Sequence, residues 1–214
     1  MAEAIDENRL LNDLRYRFNY VSKFVDFTQN DIDTLNNIAP VLAPLLPDLV
    51  EQIYAKLHSY SVTRDYFYIR NDGFETFDAT QCQTPDLLNI QTNYRKDMLS
   101  FYLNYVLTQT DWDDEFLQYL SRVGGIHTSK DGSSLVHVNY IHINLLFAVV
   151  ESALINAIWH TEQIDREKQV NVLMAINKFF WIQNDFFSKH YILPLESKST
   201  STVPVIGFAK CFFH

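Results

Sequence analysis

Between Asp86 and Leu193 the chain contains no proline. Proline removes a helical hydrogen bond and clashes with the preceding turn, so about half of the chain is free to run as long helices. The six prolines stand outside that stretch: Pro40, Pro44 and Pro47 early, Pro85 at its entrance, Pro194 and Pro204 in the tail. Glycine is as sparse, with five residues, and three of them, Gly124, Gly125 and Gly132, surround His127. With aromatic content at 14%, few breakers and many rings point to long helices around something large and flat-sided.

Apolar spacing supplies the helices one by one. Leu10, Leu11, Leu14, Phe18 and Val21 recur at three- and four-residue steps and predict one N-terminal helix. Thr28-Gln29-Asn30-Asp31 has the form of a helix start, followed by Ile32, Leu35 and Ile38. A third helix carries Leu45, Leu46, Leu49, Val50, Ile53, Tyr54 and Leu57, ending near Ser61. Asn71 to Thr84 shows no period and reads as a loop. A fourth helix runs from Pro85 to about Leu107, and a fifth, opened by Asp111, Asp113 and Asp114, has Phe116, Leu117, Leu120 and Val123 on one face. Gly124-Gly125 weakens it just before His127. The segments from Val136 to Trp159 and from Asp165 to Ile192 form a long antiparallel hairpin across a polar turn. The expected class is all-α, with seven or eight helices.

Composition narrows the function classes. At 214 residues and 47% hydrophobic content, one domain with a sizeable core is expected. Seventeen basic against twenty-six acidic residues give a net charge of −9, the wrong sign for a nucleic-acid partner or an anionic membrane surface. No continuous apolar run approaches the roughly 18 residues of a membrane span, and the acidic N-terminus has no signal-peptide form. Cys82 and Cys211 stand far apart with no C-x-x-C pair, as suits a reducing compartment, so a cytoplasmic protein is expected.

The sequence has no H-E-x-x-H, di-iron E-x-x-H, dinucleotide, phosphate-loop or nucleophile-elbow motif. Asp113-Asp114 and Asp6-Glu7 are adjacent pairs, which point in different directions on a helix. Seven histidines remain. His137 and His142 are five residues apart, about 140° around a helix, and do not chelate one metal from a single face. His160 and His190 lie near helix ends. His127 sits at a fraying helix end, a setting suited to a ligand histidine and also to a plain partly exposed one. Tyr54 and His58 share a helical face; Tyr54 reads either as a core tyrosine bonded to a carbonyl or as a donor to something in a cavity.

The order of segments resembles the protoglobins and the sensor globins of globin-coupled sensors. RYRFNYVSKFVDFTQNDIDTLNNIAPVLAPLLPDLVEQIYAKL, residues 15–57, is similar to their opening: a pre-helix, an F-T-x-x-D-I-x-x-L helix, then a helix with an Ile-Tyr step. DDEFLQYLSRVGGIHT resembles the F-helix segment with its V/I-G-x-x-H pattern, VNYIHINLLFAVVESAL the following G helix, and INKFFWIQNDFFSKHY the last helix. Four short motifs in the family's order cover nearly everything from Arg15 to Ile192.

The resemblance implies a protoglobin-type globin fold: a pre-helix segment over 1–22, a haem-binding domain over 23–193 and a tail over 194–214. It implies haem b with His127 as the proximal iron ligand, Gly124 as the glycine three residues earlier, and Tyr54 as the distal hydrogen-bond donor. Tyr94 and Met98, with Gln91, are candidate distal-wall residues; Tyr140 and Ile141, at the start of the G-helix-like segment, complete the cofactor-contacting set. The stretch over 71–84 is longer than the family's usual link, and His58 keeps a second iron ligand in play. The implied ligands are oxygen, carbon monoxide and nitric oxide, for sensing, storage or scavenging, with signalling or reduction left to a separate partner. A homodimer through the last two helices is expected, with Ala148, Ala153 and Ala157 permitting close approach and Phe179, Phe180, Phe186 and Phe187 as surplus aromatic surface. Two other readings are open: a haem-free helical interaction module, and haem enzymology of the nitric oxide dioxygenase or peroxidase kind. The terminal Cys211-Phe212-Phe213-His214 has the outline of a lipidation box with an atypical last residue.

Overall fold

The computed structural model describes the backbone of residues 2–68, 85–128 and 137–196. The loop reading over 71–84, Gly132, both cysteines and residues 197–214 of the tail lie outside the described residues, while 194–196, expected as the start of the tail, continue the last helix. Among the described residues, seven longer helices and two short ones follow each other: α1 (Glu7–Asn12), α2 (Leu14–Phe24), α3 (Gln29–Leu42), α4 (Leu46–His58), α5 (Ser61–Arg64), α6 (Pro85–Thr108), α7 (Asp114–Gly125), α8 (Tyr140–His160) and α9 (Arg166–Glu196). Single 3₁₀ turns, Ala43–Leu45 and Asp65–Tyr68, extend α3 and α5.

The sequence expectation of one helix through Leu10 and Val21 is corrected at Asp13. Its backbone is extended (φ −115°, ψ 102°) and its carboxylate accepts the amide of Tyr16 at 2.9 Å, so the residue ends α1 and caps α2. The expected start of α3 is present: the Asp31 carboxylate accepts the Thr28 amide at 2.8 Å and its hydroxyl at 3.1 Å. Pro40 lies inside α3, while Pro44 occupies the 3₁₀ turn and Pro47 the first turn of α4, where a missing amide costs little. Asp113 caps α7 through the Phe116 amide at 2.8 Å.

Helix α9 is the centre of the assembly, packing against α2, α3, α7 and α8. That environment corrects the assignment of its phenylalanines to a partner surface. Phe179, Phe180, Phe186 and Phe187 are all buried, because neighbours cover α9 on most of its circumference. Each buried ring of this size contributes roughly 1.5–3 kcal/mol by leaving water. Trp112 ties the elements together, with ring centroids 4.8 Å from Phe27, 5.1 Å from Phe116, 5.8 Å from Phe18 and 6.2 Å from Phe179.

Two ion pairs fasten the N-terminal helices to α9. Arg17 grips Asp185 through both oxygens at 2.6 Å, and Lys178 reaches Asp31 at 3.0 Å. Helix α8 contains an 18-residue window with a mean hydropathy of 1.8 and is long and apolar enough to cross a bilayer by length and composition. No uninterrupted run is visible in its sequence because His142, Asn144, Glu151 and Asn156 punctuate it. In the fold it packs against α4 and α9 and leaves Ile141, Leu145, Ile155 and Trp159 exposed.

Candidate functional site

His127 follows the last turn of α7. Its Nδ1–H donates to the carbonyl of Val123 at 2.8 Å, which leaves the Nε2 lone pair for a metal or a donor. The same i−4 bond occurs at His160, Nδ1 to the Asn156 carbonyl at 2.8 Å, so the hydrogen bond alone does not mark a site. The surroundings separate the two. His160 is exposed, whereas the His127 ring packs against Phe187 at 5.2 Å, and desolvation pushes its pKa below the ordinary imidazole value. At neutral pH the ring is neutral, the form that ligates.

The backbone of His127 is held as firmly as its ring. Its carbonyl accepts the amide of Val138 at 3.0 Å and lies 3.2 Å from the Tyr191 hydroxyl, which also contacts the Val138 carbonyl at 2.8 Å. His127 and Val138 are thereby held to each other and to α9. Gly124, one turn before His127, lets α7 approach α9. A methyl group there would meet the Cα of Phe187 at 3.1 Å and the carbonyl oxygen of Phe186 at 3.3 Å. Ser121 Oγ and His190 Nε2, 3.0 Å apart, add a polar contact beside it.

A second group of polar residues gathers around Phe67. This ring lies 5.5 Å from Tyr54, 4.5 Å from His58 and 5.1 Å from the Arg95 guanidinium. Tyr54 is buried, and burial raises the pKa of its phenol, so the hydroxyl remains a donor. His58 Nε2 and Thr92 Oγ1 are buried without a hydrogen-bond partner among the described residues. Unsatisfied polar atoms are costly in a folded chain, and each marks a place where a ligand or water is expected. Arg95 connects this group to His127: its charge lowers the proton affinity of the imidazole and opposes the rise at Tyr54.

The other residues expected from sequence are dispersed. Tyr94 and Met98 are 42% and 47% exposed, on the outer side of α6. Thr92, Leu103 and Val106 supply its buried side, with Arg95 and Leu99 partly covered. Tyr140 is half-buried, donates to Asn184 Oδ1 at 2.9 Å and stacks near Tyr191, placing it beside the clamp on His127. Ile141 is exposed. Sequence reasoning missed Phe67, Thr92, Arg95 and Tyr191. The period of Thr92, Arg95, Leu99 and Leu103 is a helical face in its own right, about 125° from the one that contains Tyr94 and Met98.

The residues present suit a haem. One neutral histidine with an oriented ring would hold its iron through a nitrogen, and a protonated phenol with unsatisfied polar atoms nearby would offer hydrogen bonds to a bound ligand. Among the described residues, no three His, Cys, Asp or Glu side chains gather into a metal-binding group. The family model for Protoglobin matches residues 14–197. The globin domain of the Geobacter sulfurreducens globin-coupled sensor is similar in structure, with a TM-score of 0.62 and 17% identity, over 81% of this chain and 97% of that one. No curated protein matches. The family match runs from the first residue of α2 to just past the last residue of α9, and the all-helical fold is that of a globin domain. The chain belongs to the Protoglobin family.

Proposed function

We propose that this protein binds haem b through Nε2 of His127 and takes oxygen, carbon monoxide or nitric oxide on the side of Tyr54. The observation that carries the reading is the state of His127: ring packed against Phe187, Nδ1–H given to Val123, backbone pinned by Tyr191 and Val138. A bound haem supplies reversible gas coordination, and the chain supplies the axial nitrogen, a hydroxyl donor and an apolar wall. Titration of the purified protein with hemin tests this. A Soret band at one equivalent is expected, and His127→Ala is expected to lose it or bind haem far more weakly. Normal five-coordinate ferrous spectra in that variant overturn the ligand assignment.

The exposed sides of α8 and α9 support a homodimer as the working form. Leu145, Ile155 and Trp159 on one helix and Val170, Met174 and Trp181 on the other are large, exposed apolar side chains that a second subunit would cover. The surface differs from the one expected from sequence, since the phenylalanines of α9 belong to the core. A monomer by light scattering at micromolar concentration overturns this part of the reading. Sensing, storage and scavenging all use the same binding step.

A further inference from the structure

We infer that the groove between α4 and α8 is a binding site for a single-chain carboxylate of the fatty-acid class, its alkyl chain lying along α8 and its carboxylate meeting the Lys56 ammonium. The inference does not depend on the haem-binding reading above.

Helices α4 and α8 pack against each other, yet a cavity of about 390 Å³ opens between them. Ile53 of α4 and Ala148, Val149 and Ala153 of α8 give it an apolar lining, and Gln52, Lys56 and Ser152 supply polar groups. The volume falls within the roughly 300–1,000 Å³ of small-molecule clefts. Side-chain size creates it. Ala148 and Ser152 share a side of α8 with Leu145 and Ile155, so two small residues interrupt a row of large exposed ones. An alkyl chain laid in that gap covers Val149 and Ala153 and continues the apolar row. Lys56 supplies the polar end. It is exposed, and its ammonium stands 5.4 Å from the Tyr60 ring, a contact that holds the cation without neutralising it. Lys96, on α6, is compensated by both oxygens of Glu51 at 2.8 and 2.6 Å. No carboxylate pairs with Lys56 among the described residues. On a chain of net charge −9, an uncompensated cation beside an apolar groove favours an anionic ligand. The Gln52 amide and Ser152 hydroxyl can donate to the same carboxylate. One cation beside a cavity of this volume fits one carboxylate with one chain rather than a two-chain phospholipid.

The test uses the full chain, loaded with hemin and kept ferrous under carbon monoxide so that no carboxylate can reach iron. Isothermal titration calorimetry with octanoate and decanoate, below their micellar concentrations, is expected to show one site. Affinity should rise about two- to fourfold for each added methylene. Lys56→Gln is expected to weaken decanoate about two- to fivefold, the size of a solvent-exposed ion pair, and to leave decanol unchanged. Ala148→Leu and Ser152→Leu, both at exposed positions, each put a side chain into the groove and are expected to weaken decanoate about 10-fold or more. Both variants also make the surface more apolar, so adventitious adsorption of the alkyl chain would strengthen in them. Unchanged or stronger binding in both leucine variants therefore overturns the inference, and so does equal wild-type affinity for decanoate and decanol. Decanoate that binds only after dilution to monomer assigns the groove to a second copy of the chain, and sedimentation with phosphatidylcholine vesicles without decanoate binding assigns it to a bilayer; either result overturns the proposal. Failure to take up hemin removes the haem reading alone, since the same titration of the apo-protein, decided by the two leucine variants, still tests the groove.

Discussion

Substitution of Gly124 by alanine probes the contact that positions α7 against α9. The added Cβ would stand 3.1 Å from Phe187 Cα, 3.2 Å from His190 Cδ2 and 3.3 Å from the Phe186 carbonyl oxygen, each tighter than ordinary van der Waals contact. Two of the three atoms are α9 backbone, which no rotamer change removes, so relief requires α7 and α9 to separate by a few tenths of an ångström. Overpacking of this kind costs about 1–3 kcal/mol. Alanine returns about 1 kcal/mol through its greater helix propensity. The expected net is a loss of about 1 kcal/mol, or a fall in Tm of about 2–4 °C for a chain of this size. Urea denaturation followed by far-UV circular dichroism measures the first quantity, and a thermal scan the second. The separation also disturbs the contact of Ser121 with His190 and the helix end that presents His127, so haem transfer to an acceptor apoprotein is expected to accelerate. An alanine variant as stable as wild type, or more so, would show that α9 yields easily and would refute the close-approach argument.

Three further perturbations test separate parts of the fold. Asp26 closes α2 with φ 53°, a left-handed conformation that glycine adopts freely, while the Phe27 amide returns to the Ser22 carbonyl at 2.8 Å; Asp26→Gly is expected to stabilise the protein by about 0.5–1 kcal/mol. A loss of stability in urea would contradict it. Asp185→Asn leaves Arg17 partly buried without its charged partner and is expected to cost about 1–3 kcal/mol; a change below about 0.5 kcal/mol would mean the pair is as weak as a solvent-exposed one. Burial, with Lys96 and Arg64 nearby, holds His58 below the ordinary imidazole pKa. The unfolded chain then takes up a proton that the folded chain refuses, so apo-protein stability should decline as pH falls from about 7 to 5, with His127 contributing the same sign. His58→Phe should flatten that decline, and an unchanged slope would show that His58 is not responsible.

The helices of this chain were legible where apolar period, caps and prolines agreed. The capping pair Thr28–Asp31 and the aspartates before α7 marked starts that the structure contains. The single residue Asp13 split a periodic stretch, since an aspartate that caps the next helix can sit at an apolar period without interrupting it. The rotation of α6 was not legible. That helix has apolar residues all round, Tyr94, Met98 and Phe101 on one side and Leu99, Leu103 and Val106 on another, and only its neighbours decide which side faces in. The phenylalanines of α9 were misplaced for a related reason: a helix surrounded by four others needs a core on several faces, and a sequence does not announce how many neighbours a helix has. His127 and Tyr54 stood out as candidates from their helical settings, and only the order of the family's segments attached a role to either. Arg95 stayed hidden inside a run of polar residues, N-Y-R-K-D, that reads as solvated surface.

Phe67 has a consequence for how this pocket could be altered. One ring supports a phenol, an imidazole and a guanidinium at once, and the backbone next to it, at Tyr66, accepts the hydrogen bond of that guanidinium. Residues that share a seat do not vary independently, and the effects of changing two of them together should depart from the sum of the single changes. The outcome of successive changes here would therefore depend on their order, with the apolar ring, rather than the phenol, imidazole or guanidinium it supports, setting which orders are passable.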